Sequence, residues 1–169
     1  MTAIETETSN ATDTSAENVA LATAAMEALN RGDIEGAVAA FAPGAINHGR
    51  PATPEQFRWI FTDICHNLAE RFTPHEVLAA GDRVAIRYTV SGTHQGACAS
   101  PVNGGLLLGV PPTGRSYTVQ HIHLFRFAGG KVVEHAATRD DLGMMLQLGL
   151  TSPPPGARPL GDGPPAPAR

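Results

Sequence analysis

The spacing of hydrophobic positions changes once along the chain, from helical before Pro74 to alternating after it. Val19, Ala22, Met26 and Leu29 recur at the three- and four-residue intervals of one helix face, and Gly32 supplies the stop. Asp33 is a good N-cap for a short second helix, which carries Ile34, Val38 and Phe41 and ends at Pro43-Gly44. An extended piece over 45–51 ends in the polar pair Asn47 and His48. A third helix opens on strong signals: Thr53 as N-cap, Pro54 at the first helical position and Gln56 completing a capping box. Its Phe57, Ile60, Phe61, Ile64 and Leu68 form one continuous apolar face, which must cover something hydrophobic.

Beyond Pro74, residues 76–79 and 84–90 alternate as two strands joined at Gly81-Asp82. In the second, Val84, Ile86, Tyr88 and Val90 share one face and Ala85, Arg87 and Thr89 the other, as in a two-sided antiparallel sheet. The clearest strand is 117–127, with 132–138 its partner across Gly129-Gly130. Asp140-Asp141 caps a short closing helix with Leu142, Met145 and Leu148. The segment from Gly96 to Gly114 is rich in Pro and Gly yet holds Leu106-Leu107-Leu108. Three exposed leucines would be unfavourable, so it is expected to fold over a cavity or into a subunit contact. Three helices, a strand-dominated second half and one closing helix predict an α+β domain with its helices on one face of a curved antiparallel sheet.

Composition adds limits. The length fits one domain, expected over 16–150, between an acidic N-terminal tail (1–15) and a Pro-rich tail (151–169), both expected to be disordered. No apolar run reaches the about 18 residues of a membrane span, and the N-terminus lacks the basic and apolar parts of a secretion signal, so a cytoplasmic protein is expected. The net charge of −4 arises in the N-terminal stretch, where Glu5, Glu7, Asp13 and Glu17 face no Lys or Arg. No basic block exists, so no nucleic-acid partner is expected. Cys65 and Cys98 lack metal-type spacing and read as free thiols.

The candidate chemistry is histidine. On strand 117–127, Tyr117, Val119, His121, His123, Phe125 and Phe127 share one face, pairing imidazoles with aromatic rings as a pocket wall would. Whether His135 joins them depends on the turn. A strict two-residue Gly129-Gly130 loop pairs odd with even positions, whereas a three-residue loop with a glycine bulge pairs odd with odd.

The block 109–115 (Gly-Val-Pro-Pro-Thr-Gly-Arg), the strand 121–127, Gly130-Lys131-Val132-Val133-Glu134-His135 and Arg139-Asp140-Asp141-Leu142-Gly143 together resemble the SnoaL-like polyketide cyclase group of the nuclear-transport-factor-2-like superfamily. Gly92-Thr93-His94-Gln95-Gly96 and Asn47-His48 extend the resemblance over roughly residues 17–149. It implies a cone-shaped α+β barrel in which a bent sheet and the third helix enclose a deep pocket, commonly in a homodimer, working without metal or organic cofactor. The family's pattern favours odd-with-odd pairing and so brings His135 across from the His123 region. It also implies an acid/base Asp two residues after the His of the Glu-His pair. Here that position is Ala137.

A histidine in an apolar pocket is neutral near pH 7 and can take or relay a proton. The expected roles are therefore His123 and His135 as acid/base pair, His48 and Asn47 as partners of substrate oxygens, and Asp140 as orienter, with helix capping its simpler role. His121, Arg87, Tyr88, Trp59, Ile60 and Ile64 complete the expected substrate-binding set. The resulting reading is a cofactor-independent cyclase or isomerase for a hydrophobic, oxygenated, polyketide-like metabolite. Competing readings are a non-catalytic binder and a histidine-assisted epoxide-opening enzyme; an epoxide hydrolase of the Arg-x-Asp type is disfavoured, since Tyr88 and Thr89 follow Arg87. Three imidazoles also raise a metal site, but the separately spaced Glu and all-β chain of cupins are missing.

Overall fold

A computed structural model describes residues 14–153 and 155–156; the expectations for residues 1–13 and for most of the Pro-rich tail lie outside the described residues. Helix α1 (Ser15–Asn30) is followed by α2 (Ile34–Ala39), whose N-cap Asp33 accepts from the Gly36 amide at 2.8 Å. Helix α3 (Pro54–Thr62) has the predicted capping box between Thr53 and Gln56. It does not run on to Leu68 as one helix: the chain widens into a π-helical turn at Asp63–Asn67, a feature often found at functional sites.

The strands are β1 (Phe41–Asn47), β2 (Arg50–Pro51), β3 (Arg71–Ala80), β4 (Arg83–Thr93), β5 (Ser116–Ala128) and β6 (Lys131–Arg139), and α4 (Asp141–Leu148) closes the fold. They form one sheet in the order β2-β1-β6-β5-β4-β3. Two expectations are corrected here. The sheet is mixed, because β1 runs parallel to β6, and it is open, with β2 and β3 as its ends, so it is not a closed barrel. The second helix also ends earlier than expected. Phe41, Pro43 and Gly44 belong to β1, where pairing of Phe41 with Val132 overrides the local turn signal.

Strand parity holds. Val84, Ile86, Tyr88 and Val90 of β4 and the odd residues 117–127 of β5 are buried on the face that α1 and α3 cover. On the outer face, register aligns Leu78, Ala85, Leu124 and Ala136 in one row across four strands, with Leu78 73% and Leu124 43% exposed. The β5–β6 turn is the two-residue Gly129-Gly130 loop, both residues at positive φ (57° and 71°). A bulge at Val133 then shifts the register, so that Phe125 pairs with His135 and His123 with Ala137. Odd therefore meets odd, through a bulge in β6 rather than a longer loop, since one inserted residue flips the parity of all that follows.

Candidate active site

Between the helices and the inner sheet face lies a cavity of about 480 Å³. Its apolar lining comes from Met26 and Leu29 of α1, Phe41 of β1, Phe57, Ile60 and Phe61 of α3, and Ile64 of the π turn. The segment between β4 and β5 closes one side with Pro101, Val102, Asn103 and Gly104; it folds over a cavity as expected, but its leucines are not in the lining, and Leu106 and Leu108 are exposed. Leu107 is the buried one of the three. Asp63 holds this segment down: its carboxylate accepts from the amides of Ala99 (3.1 Å) and Ser100 (2.7 Å), from the Ser100 hydroxyl and from Asn67 Nδ2 (2.6 Å).

His121, His123 and His135 line the cavity together, as do Asn47, His48, Ile60, Ile64 and Ala137. Their hydrogen bonds form a row. His135 Nδ1 lies 2.9 Å from Asn47 Oδ1, His123 Nδ1 lies 3.0 Å from His135 Nε2, and His121 Nδ1 lies 3.4 Å from His123 Nε2. An amide oxygen only accepts, so His135 Nδ1–H must donate to it. That makes His135 Nε2 an acceptor, His123 Nδ1–H a donor, His123 Nε2 an acceptor and His121 Nδ1–H a donor. One amide thus sets three tautomers and leaves a lone pair on His121 Nε2. Both nitrogens of His123 are engaged inside the row, so the three imidazoles do not converge on a point. Among the described residues no group of three or more His, Cys, Asp or Glu side chains could hold a metal ion.

Burial is the main force on these rings. It lowers His121 to about 4 and His135 to about 3, assisted by Arg139 at His121 and by His48 and Arg139 at His135, and it holds His123 well below the usual imidazole range. The row is therefore neutral at pH 7. His48 stands exposed at the rim in a left-handed conformation (φ 50°), its backbone N–H bonded to the His135 carbonyl at 2.9 Å. Arg139 donates to His48 Nε2 at 3.3 Å and forms an ion pair with Asp141 at 3.1 Å. Desolvation, then the Arg139 charge, lowers His48.

Four expected site residues lie elsewhere. Trp59 is 62% exposed, because it sits two residues from Phe57 and so points away from the cavity face of α3. Arg87 is on the outer sheet face, bonded to Glu76 at 2.9 Å and Gln120 at 3.2 Å. Tyr88 is core, its ring edge-on to His123 at a centroid distance of 5.3 Å, and is not in the cavity lining. Asp140 caps α4 by accepting from the Gly143 amide at 2.8 Å, and its carboxylate does not line the cavity. His94, in the Gly92–Gly96 motif, is fully buried outside the lining.

Sequence reasoning missed four polar cavity residues: Arg50, Glu70, Asn103 and Arg139. Asn103 and Glu70 lie in irregular segments where no periodicity assigns a face. Arg139 was legible, since it shares the parity of His135 and Ala137 on β6.

A family model for SnoaL-like polyketide cyclases matches residues 19–148. The chain is 33% identical over 131 residues to the aklanonic acid methyl ester cyclase DauD of Streptomyces sp. (strain C5), covering 75% of this chain and 74% of that one. It is 28% identical to the nogalonic acid methyl ester cyclase of Streptomyces nogalater over 63% of this chain and 75% of that one. Among solved structures, AclR from Streptomyces galilaeus superposes with a TM-score of 0.67 at 26% identity, over 81% of this chain and 98% of that one.

Proposed function

We propose, since the chain belongs to the SnoaL-like polyketide cyclase family, that it closes a ring in a hydrophobic, oxygenated polyketide-type substrate by proton transfer at its histidine row. The observation that carries this reading is the row itself, Asn47–His135–His123–His121, laid along an apolar cavity and ending in an imidazole lone pair. Ala137 supplies no carboxylate. Desolvation compensates: His121, held at about 4, has the proton affinity of an ordinary aspartate, about 3.9. A neutral imidazole of that strength can do the work of the absent base while adding no charge to an apolar site.

In this mechanism His121 Nε2 removes a proton from carbon next to a carbonyl, and the enolate forms beside the Arg139 guanidinium. The carbanion adds to a second carbonyl within the same molecule, one C–C bond forms, and the new alkoxide takes up a proton. No atom is lost, so the reaction is an isomerisation. Asn47 and His48 bond to the substrate oxygens at the rim. The exposed apolar row on the outer sheet face, bordered by Arg87 and Glu76, supports a homodimer that buries it.

Aklanonic acid methyl ester, named for two relatives, is the first substrate to assay. His123→Ala is expected to bind it normally and to lose turnover by about 10²-fold or more. If every cavity histidine can be removed with turnover unchanged, acid/base chemistry at the row is wrong; if wild type binds and never converts it, the protein is a binder of that ligand.

A further inference from the structure

The cavity lining contains a carboxyl group after all, at Glu70 rather than at position 137. Glu70 follows the π turn, and the left-handed Ala69 (φ 46°) redirects the chain so that the Glu70 amide closes back on the Ile64 carbonyl at 2.9 Å. Its side chain lines the cavity and is 7% exposed. The Tyr117 hydroxyl donates to Glu70 Oε1 at 2.6 Å. That contact requires Gly92, which pairs with Tyr117 across β4 and β5: a Cβ there would stand 2.8 Å from the Tyr117 oxygen.

Among the described residues Glu70 belongs to no ion pair, and the cation nearest in kind, Arg139, is engaged with Asp141. A carboxyl buried without a counter-ion keeps its proton. The groups facing it are Tyr117 on β5, Asn103 in the cavity-closing segment, Arg139 on β6, Asp141 on α4, and the thiols Cys65 and Cys98. Burial raises Glu70 to about 7, against the lowering effects of Tyr117, Arg139 and Asn103, and Asp141 raises it further. Tyr117 is itself pushed far up by burial and by Glu70, so it stays a donor.

Resting on the cyclase reading above, we propose that Glu70 is the proton donor of the cavity: a neutral carboxylic acid that delivers its proton to the oxygen that becomes a hydroxyl as the ring closes. Tyr117 donates to Oε1 and the Asn103 side chain also bonds the carboxyl, so the transferable proton sits on Oε2, the oxygen that Tyr117 leaves free. The step balances. His121 accepts the proton from carbon, the new C–C bond consumes the electron pair, the alkoxide takes the Glu70 proton, and the carboxylate is reprotonated from His121 through water after product leaves. At rest near pH 7 the histidine row holds no excess proton, whereas Glu70 carries one from the outset, so the alkoxide need not wait for the proton that His121 takes from carbon.

The test combines a titration with kinetics on the full chain. With ¹³C-labelled glutamate, assigned by its loss in Glu70→Gln, the Glu70 carboxyl is expected to titrate near pH 7. Tyr117→Phe removes a donor to the carboxylate and moves the midpoint upward. Binding of 1,8-dihydroxyanthraquinone, a non-reacting carbonyl probe, moves it upward too, because the neutral acid donates to the bound carbonyl. In turnover of aklanonic acid methyl ester, kcat falls as pH rises through that midpoint, Tyr117→Phe shifts this limb upward, and Glu70→Gln loses about 10²- to 10⁴-fold in kcat with KM little changed. A wild-type midpoint below pH 5, one that the quinone leaves unmoved, or a folded Glu70→Gln within threefold of wild-type kcat overturns the proposal. Wild type that turns over nothing, with a quinone-sensitive Glu70, instead sinks the cyclase reading and with it the proton transfer, leaving Glu70 as a hydrogen-bond donor to a bound carbonyl.

Discussion

Placing a carboxylate at position 137 measures how strongly this place governs the histidine row. Ala137 is registered directly opposite His123 and diagonally from His121, whose own partner is Arg139. Directly opposed side chains stand about 5 Å apart and diagonal ones about 7.5 Å. At an effective dielectric of about 20, Ala137→Asp stabilises a proton on His123 by about 3.3 kcal/mol and on His121 by about 2.2 kcal/mol. The pKa of His123, which burial holds well below the usual imidazole range, should then rise, and His121 should move from about 4 to about 5.6. Ring ¹⁵N shifts followed from pH 3 to 8 read both values, and Ala137→Asn, similar in shape but uncharged, should leave them in place.

Stability carries the same information. In wild type the unfolded His121 titrates near 6.5 and the folded one near 4, so between these values the unfolded chain binds the proton and stability falls as the pH falls. From pH 7 to 5 this one group costs about 2 kcal/mol; in the Asp variant its share shrinks by about 1 kcal/mol, readable from urea unfolding at the two pH values. His121 and His123 titrating within 0.5 of wild type in the Asp variant would refute the electrostatic argument.

Two further outcomes follow from the packing. Gly92→Ala should cost about 1–3 kcal/mol in denaturant unfolding, because its Cβ would meet the Leu68 carbonyl at 2.7 Å and the Tyr117 oxygen at 2.8 Å; displacement of Tyr117 should also raise the Glu70 midpoint. If the proposed homodimer buries the exposed outer row, wild type should sediment as a dimer and Leu124→Glu as a monomer; a monomeric wild type, or an unchanged sedimentation coefficient in the variant, would overturn that interface.

Much of this was legible in one dimension. The helices α1 and α3, the capping box at Thr53, the inward face of β4 and β5 and the cap at Asp140 all follow from periods and caps that a short stretch of chain carries within itself. Local patterning also brought His121 and His123 to one wall. The 96–114 segment does close the cavity, but with residues 101–104, while Leu106 and Leu108 stay exposed, so the leucine argument reached the segment's place and not its contacts.

What tertiary structure alone decided is non-local. The parallel pairing of β1 with β6 pulled Phe41 out of its expected helix and brought Asn47 to His135, across 88 residues of chain. A single bulge at Val133 determined that His135 faces the cavity, and no propensity signals which residue of a strand will be the extra one. Trp59 shows that helical phase outranks residue type. Glu70 carried no signal at all, since a lone glutamate before a strand ordinarily points to solvent. The π turn, the left-handed Ala69 and the space above Gly92 turn it inward, and each of those depends on packing that only the folded chain supplies.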